Sequence, residues 1–476
     1  MFSSVTRFLL ILLFVVACSP GCSQSQDNDV ATNTDSDSDE ESDSRNDSDE
    51  PFNPNDTNTS SDDSDPDGPD CVYVPHDFDI HQLPGEAPLV DISISVESMA
   101  ILDADPFHAE DETGAFKDGA GTDYVGIDVN YRGAYALQSL MNDEDTWNLR
   151  NWKLKFNDDQ KYRNRREWNY NYEPHLRQKL ALDLLAFNGV AVPSARHVIL
   201  QVNGEYHGMY IEYEDPDNKD WLCDMYGHDN GDLYKAAYDL PDEEQYFATL
   251  EILGSEDSDY FLHYNKKTNH KIAPEDYSVL RLFVEELNNT PDDQFEQWLE
   301  SRFDVGSFIA YLVVSNFISN WDSYPQRPKN FWLYENLRTD EMVFIPWDLD
   351  ATFQEAWSSW PGTPSLNQMG TDCSIYFNLQ NADNEPYHAA EGTARPLVRR
   401  MMNRDKYMNM YLTKYQEAVE ITLNPTYLND RIDSLTEIIY DKLSAADREK
   451  LDESNGQVKE FIQLKYENVM AELDQL

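Results

Sequence analysis

The sequence predicts an α+β fold in two lobes, a strand-rich small lobe followed by a largely helical large lobe. Three observations predict it. Short alternating apolar runs, typical of half-buried strands, cluster before about residue 214. From Val305 onward apolar residues recur at helical spacing. The helical part is interrupted at Ser319–Phe353, where a polar loop and a two-strand pattern end on a pair of carboxylates.

The chain opens with Arg7 and ten apolar residues, Phe8–Ala17, which read as an export signal. The run is too short to span a bilayer, which takes about 20 residues. Val15-Val16-Ala17-Cys18 has the form of a lipidation box with Cys18 as acceptor, and Cys22 offers a second, poorer one. Residues 1–22 are thus expected to be a signal peptide with a lipobox. Residues 23–70 are expected to be a disordered, acidic Ser/Asp-rich tether, since Asp27–Asp70 carries 17 acidic residues and one Arg and has almost nothing to bury. Ser38 and Ser48, each with an acid two residues on, are candidate phosphoacceptors in it. The expected protein is exported, faces the periplasm or the cell exterior, and touches the membrane only through its N-terminal lipid.

The net charge of -54 argues against nucleic acid and anionic headgroups as partners. The acidity is not confined to the tether, because residues 71–476 still hold 73 acidic against 34 basic residues. Beyond the signal, Cys71, Cys223 and Cys373 allow at most one disulfide, and the pair is left open. The ten His are scattered and none stands in an HExxH pattern, which disfavours a zinc enzyme.

The small lobe is placed at about 85–214. Val90–Val96 and Val125–Tyr131 alternate as strands do, and Gly119-Ala120-Gly121 is a loop that could cover phosphates. Trp152–Phe156 alternates and sets Lys153 and Lys155 on one face. Glu173–Gly189 is the best helix of this half. His197–Val202, Asn203-Gly204 and Tyr206–Tyr213 form a hairpin with a tight turn. In the large lobe, about 215–476, Gly231–Lys235 is a short strand carrying Lys235. Helices are expected at Tyr277–Leu287, Phe295–Ser301, Val305–Ser319, Arg395–Val419, Leu428–Leu443 and Gln457–Leu473.

The chemistry is expected where the helical pattern breaks. Asp322 and Asn330 lie in a loop, Phe331–Tyr334 and Met342–Trp347 read as strands around a polar turn, and Asp348-Leu349-Asp350 follows. A hairpin sets the far ends of its strands side by side, so Asn330 should approach Asp348. Oxygen donors gathered in this way suit a hard cation held together with substrate phosphates.

These residues carry a resemblance to the CotH kinase family of spore-coat-protein-H-like proteins, which have an atypical protein-kinase fold. The matching stretches are Tyr131-Arg132-Gly133, Trp152–Phe156, Leu176–Ala181, Val202–Tyr210, Gly231–Lys235, Asn320–Tyr334, Ile345–Phe353 and Arg395–Arg400. The resemblance covers about residues 85–476. It implies an exported kinase that uses ATP with Mg²⁺ or Mn²⁺ to phosphorylate Ser or Thr of exported or cell-surface proteins, itself included. It makes Asp322 the proton acceptor. Asn330 and Asp348 become metal ligands assisted by Asp350. Lys155 is the phosphate-holding Lys, with Lys153 in reserve, paired to Glu173 or Asp183. Glu214, with Glu212, falls where an adenine would sit, and Lys235 is another Lys in reach of the cleft. The chain lacks the HRD, DFG and APE signatures, and seven residues rather than four separate Asp322 from Asn330. The alternative reading is a non-catalytic surface-binding module on the same fold, its acidic cluster holding structural Ca²⁺.

Overall fold

A computed structural model describes residues 71, 87–107, 109–133, 150–237, 247–270, 272–354, 370–377, 379 and 395–476. The signal peptide, Cys18, the tether and Ser38 and Ser48 lie outside the described residues. Among those described, no helix is long and apolar enough to cross a membrane.

Seven strands close into a barrel: β1 (Leu89–Ile94), β2 (Glu112–Lys117), β3 (Asp123–Arg132), β4 (Asn151–Lys155), β5 (Glu167–Tyr172), β6 (Ala195–Val202) and β7 (Glu205–Tyr213), in the order β1-β2-β3-β4-β5-β7-β6. All pairings are antiparallel except β1 with β6, which close the ring in parallel. Alternation decides which side chains fill the barrel. Val90 and Ile92, Ile127 and Val129, Trp152 and Leu154, Trp168 and Tyr170, and Val198 and Leu200 form one buried cluster. Its rings meet edge to face, as Phe116 and Phe156 do at 5.4 Å.

The other set of alternating residues makes the outer wall. On β3, β4 and β5 it is polar, with Arg132, Lys153, Lys155, Glu167, Asn169 and Asn171. On β6 and β7 it is apolar: Ile199, Met209, Ile211 and Tyr213 join a second core together with helix α2 (Arg177–Phe187). The barrel therefore presents a polar strip at the border of the helical part.

This arrangement amends the expected strand order. β5 stands between the Lys-bearing strand and the helix, and the helix starts at Arg177, so Glu173 precedes it. Gly119-Ala120-Gly121 is the turn of the β2–β3 hairpin. Asp118 Oδ1 ties it by accepting the Ala120 and Thr122 N–H groups at 2.9 and 2.8 Å, and Gly121 has φ +88°.

The second core is built on the sheet β11-β10-β8-β9, from β8 (Leu233–Ala236), β9 (Tyr264–Lys266), β10 (Phe331–Asn336) and β11 (Glu341–Pro346). Around it lie α3 (Lys219–Tyr226), α4 (Ser278–Asn289), α5 (Phe295–Arg302), α6 (Val305–Phe317), α7 (Pro396–Met402), α8 (Asp405–Ile421), α9 (Pro425–Ile439) and α10 (Ala445–Leu473), with α1 (Val96–Ala104) beside the barrel. Twelve of the thirteen residues of α6 are buried, which suits a helix apolar on all sides. Arg395–Val419, expected as one helix, is two, broken where Arg404 takes extended backbone (φ -114°, ψ 129°).

Cys71 and Cys223 form the disulfide, joining the start of the domain to α3, and Cys373 is a buried thiol. The bridge spans 152 residues of sequence, so it restricts the unfolded chain strongly. Cys223→Ser is expected to lower stability by about 2–4 kcal/mol in denaturant melts. An unchanged midpoint would show that the bridge adds nothing.

Candidate active site

The β10–β11 hairpin builds an acidic mouth. Phe331 pairs with Pro346, and one step further the Trp347 N–H donates to the Asn330 carbonyl at 3.0 Å. That register sets Asn330, entering β10, beside Asp348, leaving β11. Both residues take left-handed backbone, with φ 58° and 53°. Asn and Asp accept that conformation more readily than other non-glycine residues.

The end of α6 fixes the loop that carries Asp322. Phe353 N–H donates to the Ile318 carbonyl at 2.7 Å, and Ser319 Oγ donates to the Gly370 carbonyl at 3.1 Å. Trp321 packs on Cys373, whose carbonyl accepts from the buried Lys465 of α10 at 2.7 Å.

Within the mouth, Asn330 Nδ2 donates to the Asp322 carbonyl at 2.8 Å and to Asp322 Oδ2 at 3.0 Å. Its amide oxygen is the atom left for a ligand. Lys329 Nζ lies 2.9 Å from Asp322 Oδ2, and Arg327 Nη1 lies 3.1 Å from Oδ1. Burial pushes the Asp322 carboxyl up, but Lys329 and Arg327 outweigh it and hold it below the usual range. Asp350 shows the reverse. The surrounding protein, then Asp348, then Asp322 push its carboxyl up to about 8, although its own surface stays open to solvent.

The polar strip of the barrel supplies cations to the same region. Asp215, just past β7, is surrounded by Lys153, Arg132 and Lys235, which together hold its carboxyl low despite burial. Lys153 Nζ stands 2.9 Å from Glu167 and 4.0 Å from Asp215. Arg132 donates to the Tyr213 hydroxyl and to Asn171 Oδ1, the latter at 2.7 Å. Lys235 Nζ lies 5.4 Å over the Trp332 ring. Tyr213 connects the two sides, since its ring lies 5.4 Å from that of Trp347 and its hydroxyl feels the charges of both Arg132 and Asp348.

Asp322, Asn330, Asp348 and Asp350 thus come together, and Lys153 and Lys235 lie on the cationic side. Lys155 is placed differently, with its Nζ 3.1 Å from Asp111. Glu214 accepts Arg165 Nε at 2.6 Å and the Ser194 N–H at 2.9 Å, so it ties the chain crossing together. Neither acid considered as a Lys155 partner takes that role. Asp183 pairs with Lys179 and Arg431, and Glu173 has no hydrogen-bond partner on either carboxylate oxygen. Sequence reasoning gave no site role to Arg132, Asp215, Arg327 or Lys329. Of these Lys329, adjoining Asn330 in the loop, was the most findable.

The donor set fits a divalent cation. Asp348 and Asp350 offer two carboxylates and Asn330 an amide oxygen, a hard-oxygen set of the kind that Mg²⁺ and Mn²⁺ take with phosphate oxygens and water. Among the described residues, no three His, Cys, Asp or Glu side chains converge ready-made on one ion.

An acidic mouth at the end of a hairpin, set across from clustered cations, defines a kinase-like protein. The chain belongs to the CotH kinase protein family, whose model matches residues 129–470. The match begins within β3, so β1 and β2 lie outside it. The inner spore coat protein H of Bacillus subtilis (strain 168) is 24% identical over 350 residues, 71% of this chain and 84% of the relative. Two solved structures overlap more loosely. The proinflammatory kinase CtkA of Helicobacter pylori is 10% identical with a TM-score of 0.31, covering 68% of this chain and 95% of its own. The HipA–HipB–operator DNA complex of Shewanella oneidensis MR-1 gives 11% and 0.28, over 65% of this chain and 59% of its own. Overlaps this loose carry no argument about the site.

Proposed function

We propose that this protein is an exported atypical kinase that transfers the γ-phosphoryl group of ATP to Ser or Thr hydroxyls of exported or cell-surface proteins, its own tether included. The observation that carries the reading is the juxtaposition of the Asp322–Asn330–Asp348–Asp350 mouth with the cations Lys153, Arg132 and Lys235. Membership of the CotH kinase protein family supports it. The similarity to a spore coat protein supports a place at the cell surface, and the N-terminal lipid on Cys18 would hold the protein there.

Phosphoryl transfer needs positioning and charge neutralisation more than covalent chemistry from the protein. Asp348, Asp350 and the Asn330 amide oxygen would hold Mg²⁺ or Mn²⁺, which when bound neutralises phosphate charge. Lys153 is the better placed of the two β4 lysines to steady the phosphates, with Arg132 and Lys235 beside it. Asp322 would orient the substrate hydroxyl and accept its proton as the new O–P bond forms and ADP leaves. Its clamped, low-lying carboxylate makes it a positioning group first and a weak base second.

The full chain incubated with γ-labelled ATP and Mn²⁺ should acquire label as phosphoserine or phosphothreonine, on itself or on added Ser-rich acceptors. A chain that binds metal and nucleotide yet labels no acceptor would contradict catalysis. The second reading, a Ca²⁺-stabilised binding module, rests on the same acidic mouth and predicts stabilisation by metal alone.

A further inference from the structure

The segment 370–377 is held largely by side chains from elsewhere in the chain. Its residues form turns, with neither helix nor strand. Even so, the carbonyls of Gly370, Thr371, Cys373, Ser374 and Ile375 each accept from a side chain. Helix α10 supplies most of the grip. Lys465 Nζ donates to the Cys373 carbonyl at 2.7 Å and to that of Gly370 at 3.4 Å, and Asn468 Nδ2 donates to that of Thr371 at 2.8 Å. Glu472 accepts the Ser374 hydroxyl at 2.7 Å and the Ile375 N–H at 3.3 Å. Positions i, i+3 and i+7 share one face of a helix, so the three act as a row. Asn316 of α6 and Tyr411 of α8 close the grip at 3.0 and 2.7 Å. Lys465 is the costly member, an ammonium at 0% exposure. A charge at that depth needs its hydrogen bonds, and charge makes those bonds stronger than neutral ones.

The same segment touches both halves of the acidic mouth. Ser319 Oγ donates to the Gly370 carbonyl at 3.1 Å, and Trp321 is buried against Cys373. Ala351 and Phe377 pack on that pair. Trp321 precedes Asp322, and Ala351 follows Asp350. The hairpin register fixes Asn330 and Asp348, whereas Asp322 and Asp350 lie beyond it, each with a neighbour resting on this segment. We infer that 370–377 is a platform setting Asp322 against Asp350, and that Lys465, acting through it, is a positioning residue for phosphoryl transfer. This rests on the reading of the mouth as a kinase site. A misplacement of about 1 Å costs about 10²-fold in rate, so a support that touches no reactant still governs turnover.

The test compares wild type with Lys465→Met, in single-turnover transfer from γ-labelled ATP with Mn²⁺ and in hydrogen exchange of the full chain. Met keeps much of the length of Lys and removes the ammonium. Transfer is expected to slow at least about tenfold, with ATP affinity within about threefold of wild type. Amides of 319–324 and 370–375 should exchange faster, and those of β10 and β11 should not. Asp447→Ala controls for a general loss of stability. It lies at the other end of α10, where Asp447 accepts the Tyr206 hydroxyl at 2.6 Å and the Ser444 hydroxyl at 3.0 Å. That variant should melt lower yet transfer at the wild-type rate below its transition. Equal slowing in Asp447→Ala, or wild-type transfer by Lys465→Met, would overturn the inference and leave the kinase reading standing. No transfer by wild type would overturn both. Should Lys465→Met not fold, Ser319→Ala, which frees the loop from the platform at its other end, is expected to slow transfer likewise. A wild-type rate there would overturn the inference.

Discussion

Asp348→Asn is expected to weaken metal-dependent ATP binding by at least about 100-fold, roughly 2.7 kcal/mol, while leaving the helical content unchanged. The choice of Asn matters, because Asp348 sits at φ 53°. Ala there would add backbone strain of about 1–2 kcal/mol to whatever the lost ligand costs. Asn tolerates the conformation and removes only the charge. Isothermal titration with ATP and Mg²⁺ measures the effect, and circular dichroism checks the fold. Unchanged nucleotide affinity would remove Asp348 from the site. A parallel fall in stability without metal would point instead to a structural role at the hairpin mouth.

Asp322→Asn is the second large effect. Nucleotide and metal should bind as in wild type, because the metal ligands lie on the hairpin and the cations that steady the phosphates on β3, β4 and β8. Transfer should fall by about 10²–10⁴, the usual cost of removing a proton-transfer group. The clamp adds a qualification that can be measured. Lys329 and Arg327 would lose their carboxylate partner, and the loss of that pairing at a buried position destabilises the loop. The variant should therefore also melt at a lower temperature. Single-turnover transfer at saturating ATP separates the two effects. Unchanged turnover would mean that the substrate hydroxyl is handled by another group.

The hairpin mouth was the most legible part of the chain. Two apolar runs around a polar turn fix a register, and register alone carries Asn330 to Asp348. The helices were legible for a similar reason, since local periodicity marks them, although their ends moved. The unbroken reading of Arg395–Val419 failed because neither Gly nor Pro marks the break before Arg404. The barrel was less legible. Its closure joins β1 to β6 across more than a hundred residues, and nothing in either strand names its partner. β5 alternates in its Trp-Asn-Tyr-Asn-Tyr run, but the polar set faces the cleft strip rather than open solvent. The lysine assignment turned on the same point. Lys153 and Lys155 share a face, and only the three-dimensional neighbours Glu167, Asp215 and Asp111 distinguish them. Glu173 looked like a helix acid because the helix was started four residues early. Its position before α2, buried with neither carboxylate oxygen hydrogen-bonded, is a tertiary fact that no local pattern encodes.

The central claim is that the hairpin mouth binds metal and nucleotide together. Its most direct test is equilibrium thermal unfolding of the full chain with Mg²⁺ or Mn²⁺, with and without ATP, beside Asp348→Asn. A ligand at 100 times its Kd adds about 2.7 kcal/mol of stability. The account predicts a stabilisation that needs both metal and ATP and disappears in Asp348→Asn. Stabilisation by metal alone, indifferent to ATP, would contradict it and favour the Ca²⁺-stabilised binding module.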